Sequence, residues 1–286
     1  MPATALGHYR VAAFNTSRDS DNPIHDDAVA RSFGFAGGLV PGVDVYGYMT
    51  HFPVARWGAA WLEHGTAECR FLKPVYDGET ATVSAAETED GLDLTVECRG
   101  EVCAVGHAGL PSRAAPPPAP FAATPPLPPA VRPEADATPP FAAAPLPPTV
   151  RPEADAATLA VGTLFAIRPV KVDAAESEQY LCDLRESLPL YRRAGLVHPA
   201  TIAGLGNWAL KDNVMLGPWM HVGSRIEHFG AARIGDELTA TARVTANYEK
   251  RGHRFVDLDV LVYANRTTPV ARLAHISIYR PRQVAA

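Results

Sequence analysis

The sequence predicts an α+β protein built from two similar units, each a long buried helix wrapped by a curved antiparallel sheet. Three observations predict this class. Residues 37–58 and 194–213 are apolar nearly all round, so a helix formed by either stretch must be enclosed by other elements. Strand-like runs follow each stretch, and residues 238–244 alternate apolar and polar side chains with a period of two. A proline-rich segment separates the halves. Strands that enclose a helix define an α+β unit.

The first half begins with an apolar strand, which is followed by a polar loop and a short helix. The long apolar helix comes next, and three strand-like regions close the unit. In chain order these elements are predicted at residues 9–15, 26–35, 37–58, 65–89, 92–100 and 101–110.

The second half repeats this plan with an additional helical region before the long helix. Its strand, helical region, long helix and three closing strand-like regions are predicted at residues 162–172, 174–195, 194–213, 221–252, 253–266 and 268–281. Two local matches indicate a duplication. The segment GGLVPG is similar to AGLVHP, and each lies where a long helix begins. The segment KPVYDGETATVSA is similar to AARIGDELTATAR, and each is a turn that leads into a strand.

Proline composition sets the predicted boundaries. Residues 111–152 hold sixteen of the 27 prolines, and two near-identical stretches lie at 120–138 and 140–158. Each proline removes a backbone donor and fixes φ, so this region is predicted to be an extended spacer. A recognition arm for an aromatic groove is the alternative. The predicted organisation is a first unit at 1–112, a linker at 113–158 and a second unit at 159–286.

Charge and composition exclude several functions. The net charge is −5 and no basic block occurs, so we expect no nucleic-acid partner. No apolar run approaches the roughly 18 residues of a membrane helix, and the N-terminus lacks the apolar core of a signal peptide. The four cysteines show no metal-binding spacing. We therefore expect reduced, buried thiols, a cytoplasmic location and no membrane partner.

A polar turn in the first half carries the candidate catalytic residues. Asn22-Pro23-Ile24 leads into His25, whose ordinary pKa of about 6.5 suits proton transfer at working pH. Asp21 is predicted to orient His25 or to polarise water, or else to stabilise the turn. Asp44 lies in the first turn of the long helix, where a carboxylate either complements the helix dipole or acts as the acid.

The start of the long helix is the second part of the predicted site. An unpaired N–H at Gly42 directs its positive end outward and can stabilise a developing negative charge, while glycine permits close approach. Tight packing alone is the alternative reason for this glycine. Asn22 is predicted to contact the substrate. Tyr46 is predicted to line the pocket or to belong to the core. His221, His228, His253 and His275 show no spacing typical of ligands.

These residues carry a resemblance to a known family. The sequence Asp21-Asn22-Pro23-Ile24-His25, with Gly38-Leu39-Val40-Pro41-Gly42 before the helix, resembles the MaoC-like dehydratases and (R)-specific enoyl-CoA hydratases of the hotdog fold. The segment Asp77-Gly78-Glu79 is similar to the turn that follows the family's Pro-Val pair. The resemblance covers roughly residues 1–110 and 160–282 and implies a double hotdog.

Two departures from the family pattern concern the acid. MaoC-like enzymes place an aspartate five residues before the histidine, and that position is Ser20 here. The Pro41-Gly42 start is similar instead to that of the β-hydroxyacyl carrier-protein dehydratases, which carry a glutamate six residues after the proline. That position is Gly47 here. Asp21 and Asp44 are therefore the candidate substitutes.

The resemblance implies a hydratase or dehydratase that acts at the 2,3 position of an acyl group on coenzyme A or an acyl-carrier protein, with no metal or other cofactor. Two alternatives remain: a protein that binds acyl thioesters without turnover, and another hotdog reaction such as thioester hydrolysis. The second half has His198 at its helix start but no Asn-Pro-x-His loop, so we expect it to lack an active site and to replace a partner subunit. A homodimer of two such chains is also plausible.

Overall fold

The computed structural model describes residues 4–121 and 151–282. In the first half the strands are β1 (Thr4–Ala12), β2 (Thr66–Phe71), β3 (Thr80–Glu87), β4 (Leu92–Cys98) and β5 (Glu101–Gly109). The helices are α1 (Asp27–Ser32), α2 (Gly42–Trp57) and α3 (Ala59–His64), and a 3-10 turn covers Pro23–His25.

The second half repeats the plan of a long helix followed by strands. Its strands are β6 (Leu164–Ala166), β7 (Val170–Lys171), β8 (Met220–His228), β9 (Glu237–Lys250), β10 (His253–Ala264) and β11 (Thr268–Arg280). Its helices are α4 (Ala174–Asp183), α5 (Leu190–Ala194) and α6 (Pro199–Lys211).

Within the described residues the eleven strands form one continuous sheet. The order is β1-β3-β4-β5-β2-β8-β11-β10-β9-β6, and β7 pairs with β9 beside this path. The halves join where β2 and β8 pair antiparallel, from Thr66 opposite Glu227 to Arg70 opposite Gly223. Helix α2 contacts β3, β4, β5 and β8, whereas α6 contacts β6 and β8 to β11, and the two helices contact each other. The predicted α+β class is confirmed.

The long helices are buried because both are apolar on most faces. Ten of the sixteen residues of α2 are buried, as are eleven of the thirteen residues of α6. Both helices begin alike. Leu39 bridges to Tyr76 before α2, and Leu196 bridges to Arg233 before α6. These bridges fix where each helix emerges from the sheet.

Several local features differ from the sequence prediction. The strand predicted at 162–172 is divided into β6 and β7, because the Arg168 N–H donates to Asp212 Oδ2 (3.0 Å) and Pro169 has no N–H to donate to a neighbouring strand. Residues 151–158, at the end of the predicted linker, contact the second half: the Met215 N–H donates to Pro152 O, and the Ala154 N–H donates to Met215 O. Residues 122–150 of that linker lie outside the described part of the chain, so the predicted extended spacer and the alternative recognition arm fall mostly outside the described residues.

The cysteines differ in exposure. Cys69, Cys98 and Cys103 are free and buried, as predicted, but Cys182 is free and exposed, so the prediction of burial was wrong there. Cys182 lies on the exposed side of α4, where its Sγ contacts the side chains of Glu178 and Arg192.

Candidate active site

The Asn22 side chain holds the loop that carries His25. Its Oδ1 accepts a hydrogen bond from the Ile24 N–H (3.3 Å) and so caps the short turn Pro23–His25. The same amide pairs with the backbone of Trp219 in the second half: Nδ2 donates to Trp219 O (3.0 Å), and Oδ1 accepts from Trp219 N (3.3 Å). Asn22 is 5% exposed, so these bonds form away from water. The loop is therefore anchored to both halves.

The hydrogen bonds of His25 define its tautomer. Nδ1 lies 2.6 Å from Leu39 O, and a carbonyl can only accept, so Nδ1 carries the proton. Nε2 then holds the lone pair and accepts from Asn22 Nδ2 (3.2 Å). Burial lowers the pKa of His25 to about 4, and Lys211 contributes in the same direction, while the bond to Leu39 and the charge of Asp21 act against them. At neutral pH His25 is therefore an uncharged base.

Asp44 has the opposite perturbation. It is 1% exposed in the first turn of α2, and it accepts hydrogen bonds from Thr16 Oγ1 (2.6 Å) and Tyr180 OH (2.8 Å). Burial raises the pKa of Asp44 to about 7, and nearby Asp183 adds to this, although the two hydrogen bonds act to lower it. A substantial fraction of Asp44 is therefore protonated near neutral pH.

The first cavity brings His25 and Asp44 together. It has a volume of about 490 Å³, and it is lined by the loop before α1, by the start of α2 and by residues of α4 and α6. The α6 contribution includes Asn207 and Lys211. A neutral base and a protonated carboxyl thus face one space that is large enough for a small-molecule group.

A second cavity of about 280 Å³ adjoins the first and includes Gly42. The two cavities share five lining residues: Asn22, His25, Pro41, Asn207 and Trp219. No side chain caps the start of α2 at Pro41. The N–H groups of Asp44 and Val45 donate to Pro41 O, whereas the N–H of Gly42 has no side-chain cap. A Cβ at residue 42 would lie 2.9 Å from the Phe71 ring, so tight packing also requires glycine here.

Four of the predicted site residues lie around this pair of cavities: Asn22, His25, Gly42 and Asp44. Asp21 is exposed and does not line either cavity; its Oδ1 instead lies 2.8 Å from Nζ of Lys211, which lines the first cavity. Tyr46 is 2% exposed, belongs to the hydrophobic core and lines neither cavity. Of the two positions predicted for Tyr46, the pocket lining and the core, the structure shows the core.

Three residues that hydrogen-bond the candidate site residues were not predicted from the sequence. Thr16 and Tyr180 hold Asp44, while Trp219 holds Asn22. Tyr180 and Trp219 belong to the second half. Their only sequence signal is that they are aromatic: Tyr180 lies within helix α4, and Trp219 directly precedes strand β8.

The start of the second long helix has much less space. His198 caps α6 by accepting from the Ala200 N–H at Nδ1 (3.2 Å), and its Nε2 lies 3.6 Å from Glu186 Oε2. Burial acts to raise the pKa of Glu186, but its contacts with His198 and His51 outweigh burial and hold that pKa well below its ordinary value. The cavity beside His198 has a volume of only about 10 Å³, enough for about one water molecule.

The described residues contain no group of three or more His, Cys, Asp or Glu side chains arranged to hold a metal ion. Across the same residues, no helix is both long enough and apolar enough to span a membrane.

The fold is similar to several solved structures. A protein assigned as a MaoC domain dehydratase from Chloroflexus aurantiacus J-10-fl has a TM-score of 0.61 and 13% identity, covering 99% of this chain and 96% of that one. A double hotdog protein from Mycobacterium tuberculosis has a TM-score of 0.61 and 16% identity, covering 95% of both chains. A Lactobacillus plantarum protein assigned as an oleoyl thioesterase has a TM-score of 0.51 and 9% identity, covering 98% of both chains.

No protein-family model matches the sequence, and no curated protein matches it either. The chain has the double hotdog fold, and the structural resemblance to MaoC-like dehydratases that the sequence predicts is confirmed. At these identities the likeness defines the fold, and the chemistry has to be argued from the site itself.

Proposed function

We propose that this protein adds water to, or removes it from, the 2,3 position of an acyl group carried as a thioester on coenzyme A or an acyl-carrier protein. The observation that carries the proposal is the pairing of His25 and Asp44 on one cavity. Their environments shift the two pKa values in opposite senses, to about 4 and about 7. Such a divergence assigns the base and the acid of a proton-transfer pair.

The proposed hydration step uses groups that line the two cavities. A water molecule replaces Asn22 Nδ2 as the partner of Nε2 of His25, and Nε2 takes its proton as the water oxygen bonds to C3 of the enoyl group. The electron pair of the double bond moves towards the thioester oxygen, and the N–H of Gly42 stabilises the negative charge there. The carboxyl of Asp44 gives its proton to C2, which leaves His25 protonated and Asp44 ionised; transfer of that proton from His25 to Asp44 restores the starting forms. Dehydration is the reverse.

The proposal also accounts for the two carboxylates that the sequence lacks at the positions typical of the families it resembles. Ser20 and Gly47 occupy the positions where the related families carry a carboxylate, whereas Asp44 reaches the cavity from one turn earlier on α2. Asp21 has a supporting role in the proposal, because its ion pair holds Lys211 at the cavity wall. Homodimerisation stays a prediction from the sequence.

Incubation with crotonyl-CoA tests the proposal. Loss of the enoyl absorbance with formation of 3-hydroxybutyryl-CoA is expected, and His25→Ala is expected to lower kcat/KM by about 10²- to 10⁴-fold, the usual contribution of a general base. His107→Ala is the matched control, since His107 is partly exposed and pairs with Asp93 away from both cavities.

Two other outcomes correspond to the alternative functions. Release of free thiol from acyl-CoA without hydration would identify a thioester hydrolase. Binding of acyl-CoA with neither reaction would identify a binding protein. Equal hydration by the wild type and His25→Ala would contradict the assigned role of His25.

A further inference from the structure

A chain of four hydrogen-bonded side chains crosses the second half beside the second cavity. Nε2 of His221 lies 2.8 Å from Ser224 Oγ, and Ser224 Oγ lies 3.0 Å from Nδ1 of His275. Nε2 of His275 lies 3.0 Å from Asn207 Oδ1. All three side chains on β8 and β11 are buried, with exposures of 8% for His221, 4% for Ser224 and 0% for His275. The proposed reaction uses none of these three.

The direction of the hydrogen bonds follows from the Asn207 end. Oδ1 accepts only, so Nε2 of His275 donates and its Nδ1 accepts from the Ser224 hydroxyl. Ser224 Oγ then accepts from Nε2–H of His221. Burial lowers the pKa of His221 to about 3, so the ring is neutral and its Nδ1 holds a lone pair.

His221 lines the second cavity, and its Nδ1 has no hydrogen-bond partner among the described residues. Nδ1 itself is buried and lies next to Gly42, since a Cβ at residue 42 would be 3.2 Å from it. A buried acceptor without a partner is costly unless a ligand or water satisfies it. Ser224 does not line the cavity, so it orients His221 and does not act as a nucleophile.

The remaining wall of this cavity is largely apolar. Residues from both halves supply it, including Ile24, Val40, Val45, Phe71, Met220 and Ile278. Such a wall suits an aliphatic chain, and His221 Nδ1 supplies one oriented acceptor within it.

We propose that the second cavity holds the acyl chain and that His221 Nδ1 accepts a hydrogen bond from a hydroxyl on that chain, so that hydroxylated acyl thioesters are preferred. The proposal rests on the proposed function for the identity of the thioester. A carboxylate in place of the hydroxyl would need a protonated His221, which burial opposes. An alkyl terminus would leave Nδ1 unpaired. A site built to hydrogen-bond a hydroxyl discriminates in this way against the analogue that lacks it.

Binding of matched pairs of saturated acyl-CoA molecules tests this directly. Each pair has equal numbers of heavy atoms: 4-hydroxybutyryl-CoA with pentanoyl-CoA, 5-hydroxypentanoyl-CoA with hexanoyl-CoA, and 6-hydroxyhexanoyl-CoA with heptanoyl-CoA. Titration calorimetry of the full chain is expected to show roughly tenfold tighter binding of the hydroxylated member in at least one pair, which corresponds to one neutral hydrogen bond.

Variants locate the preference. His221→Phe is expected to abolish the hydroxyl preference while keeping binding of the alkyl member. His228→Phe is the matched control, because His228 is also buried with an unpartnered Nε2 among the described residues but lines neither cavity. Ser224→Ala leaves the cavity wall intact and is expected to reduce the preference by freeing the His221 ring, so it decides the matter if His221→Phe fails to fold.

The outcomes separate this proposal from the proposed function. A hydroxyl preference that depends on His221, without hydration of any enoyl-CoA, would keep the pocket assignment and reject the hydratase. Hydration of enoyl-CoA with equal binding within every pair would reject the pocket assignment alone. Failure of all six ligands to bind would overturn the pocket assignment and, together with no hydration of crotonyl-CoA, the proposed function as well. A hydroxyl preference that His221→Phe leaves unchanged would overturn the pocket assignment alone.

Discussion

Asp44 shows how strongly one position depends on its surroundings. In the first turn of a solvated helix, a carboxylate would remain ionised and favour the helix dipole. Here the side chain is 1% exposed, and its pKa is raised to about 7 from an ordinary 3.8. The folded state therefore keeps a proton that the unfolded chain releases, so ionisation of Asp44 costs stability as pH rises from about 4 to about 7.

The pH dependence of the proposed hydration follows from the pKa of Asp44. We expect kcat/KM to fall as pH rises through about 7, because Asp44 loses the proton that C2 receives. Asp44→Asn is expected to lower activity by about 10²- to 10⁴-fold and to remove this alkaline limb. Initial rates from pH 6 to 9 measure it. Asp93→Asn, on the exposed side of β4, should keep the limb; the same limb in Asp44→Asn would assign it to another group.

The candidate site residues were easier to predict from the sequence than the residues that hydrogen-bond them. His25, Asn22, Gly42 and Asp44 were predicted because they lie within about 20 residues of one another in a recognisable motif. Tyr180 and Trp219 were not, since they lie 136 and 197 residues from Asp44 and Asn22, the residues that they contact. No local pattern encodes a contact at such a separation. The buried His221–Ser224–His275 chain was missed because its members lie on two strands and show no ligand spacing.

The helices show what a periodic pattern can and cannot define. The long helices were predicted at 37–58 and 194–213, and they are observed at Gly42–Trp57 and Pro199–Lys211. Both predictions began about five residues early. Apolar composition does not distinguish a helical residue from one that bridges to a loop, as Leu39 and Leu196 do. Both helices begin where proline occurs, at Pro41 as the cap of α2 and at Pro199 as the first residue of α6.

Helix α6 offers a test of packing at the level of an element. Alanine normally stabilises a helix interior by about 1 kcal/mol relative to glycine. At Gly206, however, a Cβ would lie 2.7 Å from Nδ1 of His275, which is fully buried and held by hydrogen bonds. We therefore expect Gly206→Ala to destabilise the protein by about 1–3 kcal/mol, the usual cost of overpacking.

Urea unfolding monitored by circular dichroism measures this effect. Gly217→Ala is the control, because a Cβ at residue 217 meets no atom within 4 Å. An unchanged or increased free energy of unfolding in Gly206→Ala would show that the His275 ring can move.

The two halves are joined by more than one kind of contact at the scale of the whole molecule. Strands β2 and β8 make the sheet continuous, and α2 packs against α6. Hydrogen bonds between the halves connect Tyr180 to Asp44, Trp219 to Asn22 and Tyr9 OH to Arg185 O. The duplicated order of elements can be predicted from the sequence, but these contacts between the halves cannot.

We therefore expect the halves to unfold together. Each would expose the apolar face of its own helix and one unpaired strand edge if the other unfolded first. Thermal unfolding followed by both calorimetry and circular dichroism should show one transition, with equal calorimetric and van't Hoff enthalpies. Two resolved transitions would mean that the β2–β8 junction contributes little to cooperativity.

The bond between Asn22 and Trp219 has a consequence for biosynthesis. The histidine-bearing loop is made early, whereas the backbone that fixes it is made almost two hundred residues later. A nascent chain emerging from the ribosome cannot complete this arrangement until residue 219 has left the exit tunnel. The candidate active site can thus be completed only late in translation, and a truncated product that ends in the proline-rich region would lack the anchor for the loop that carries His25.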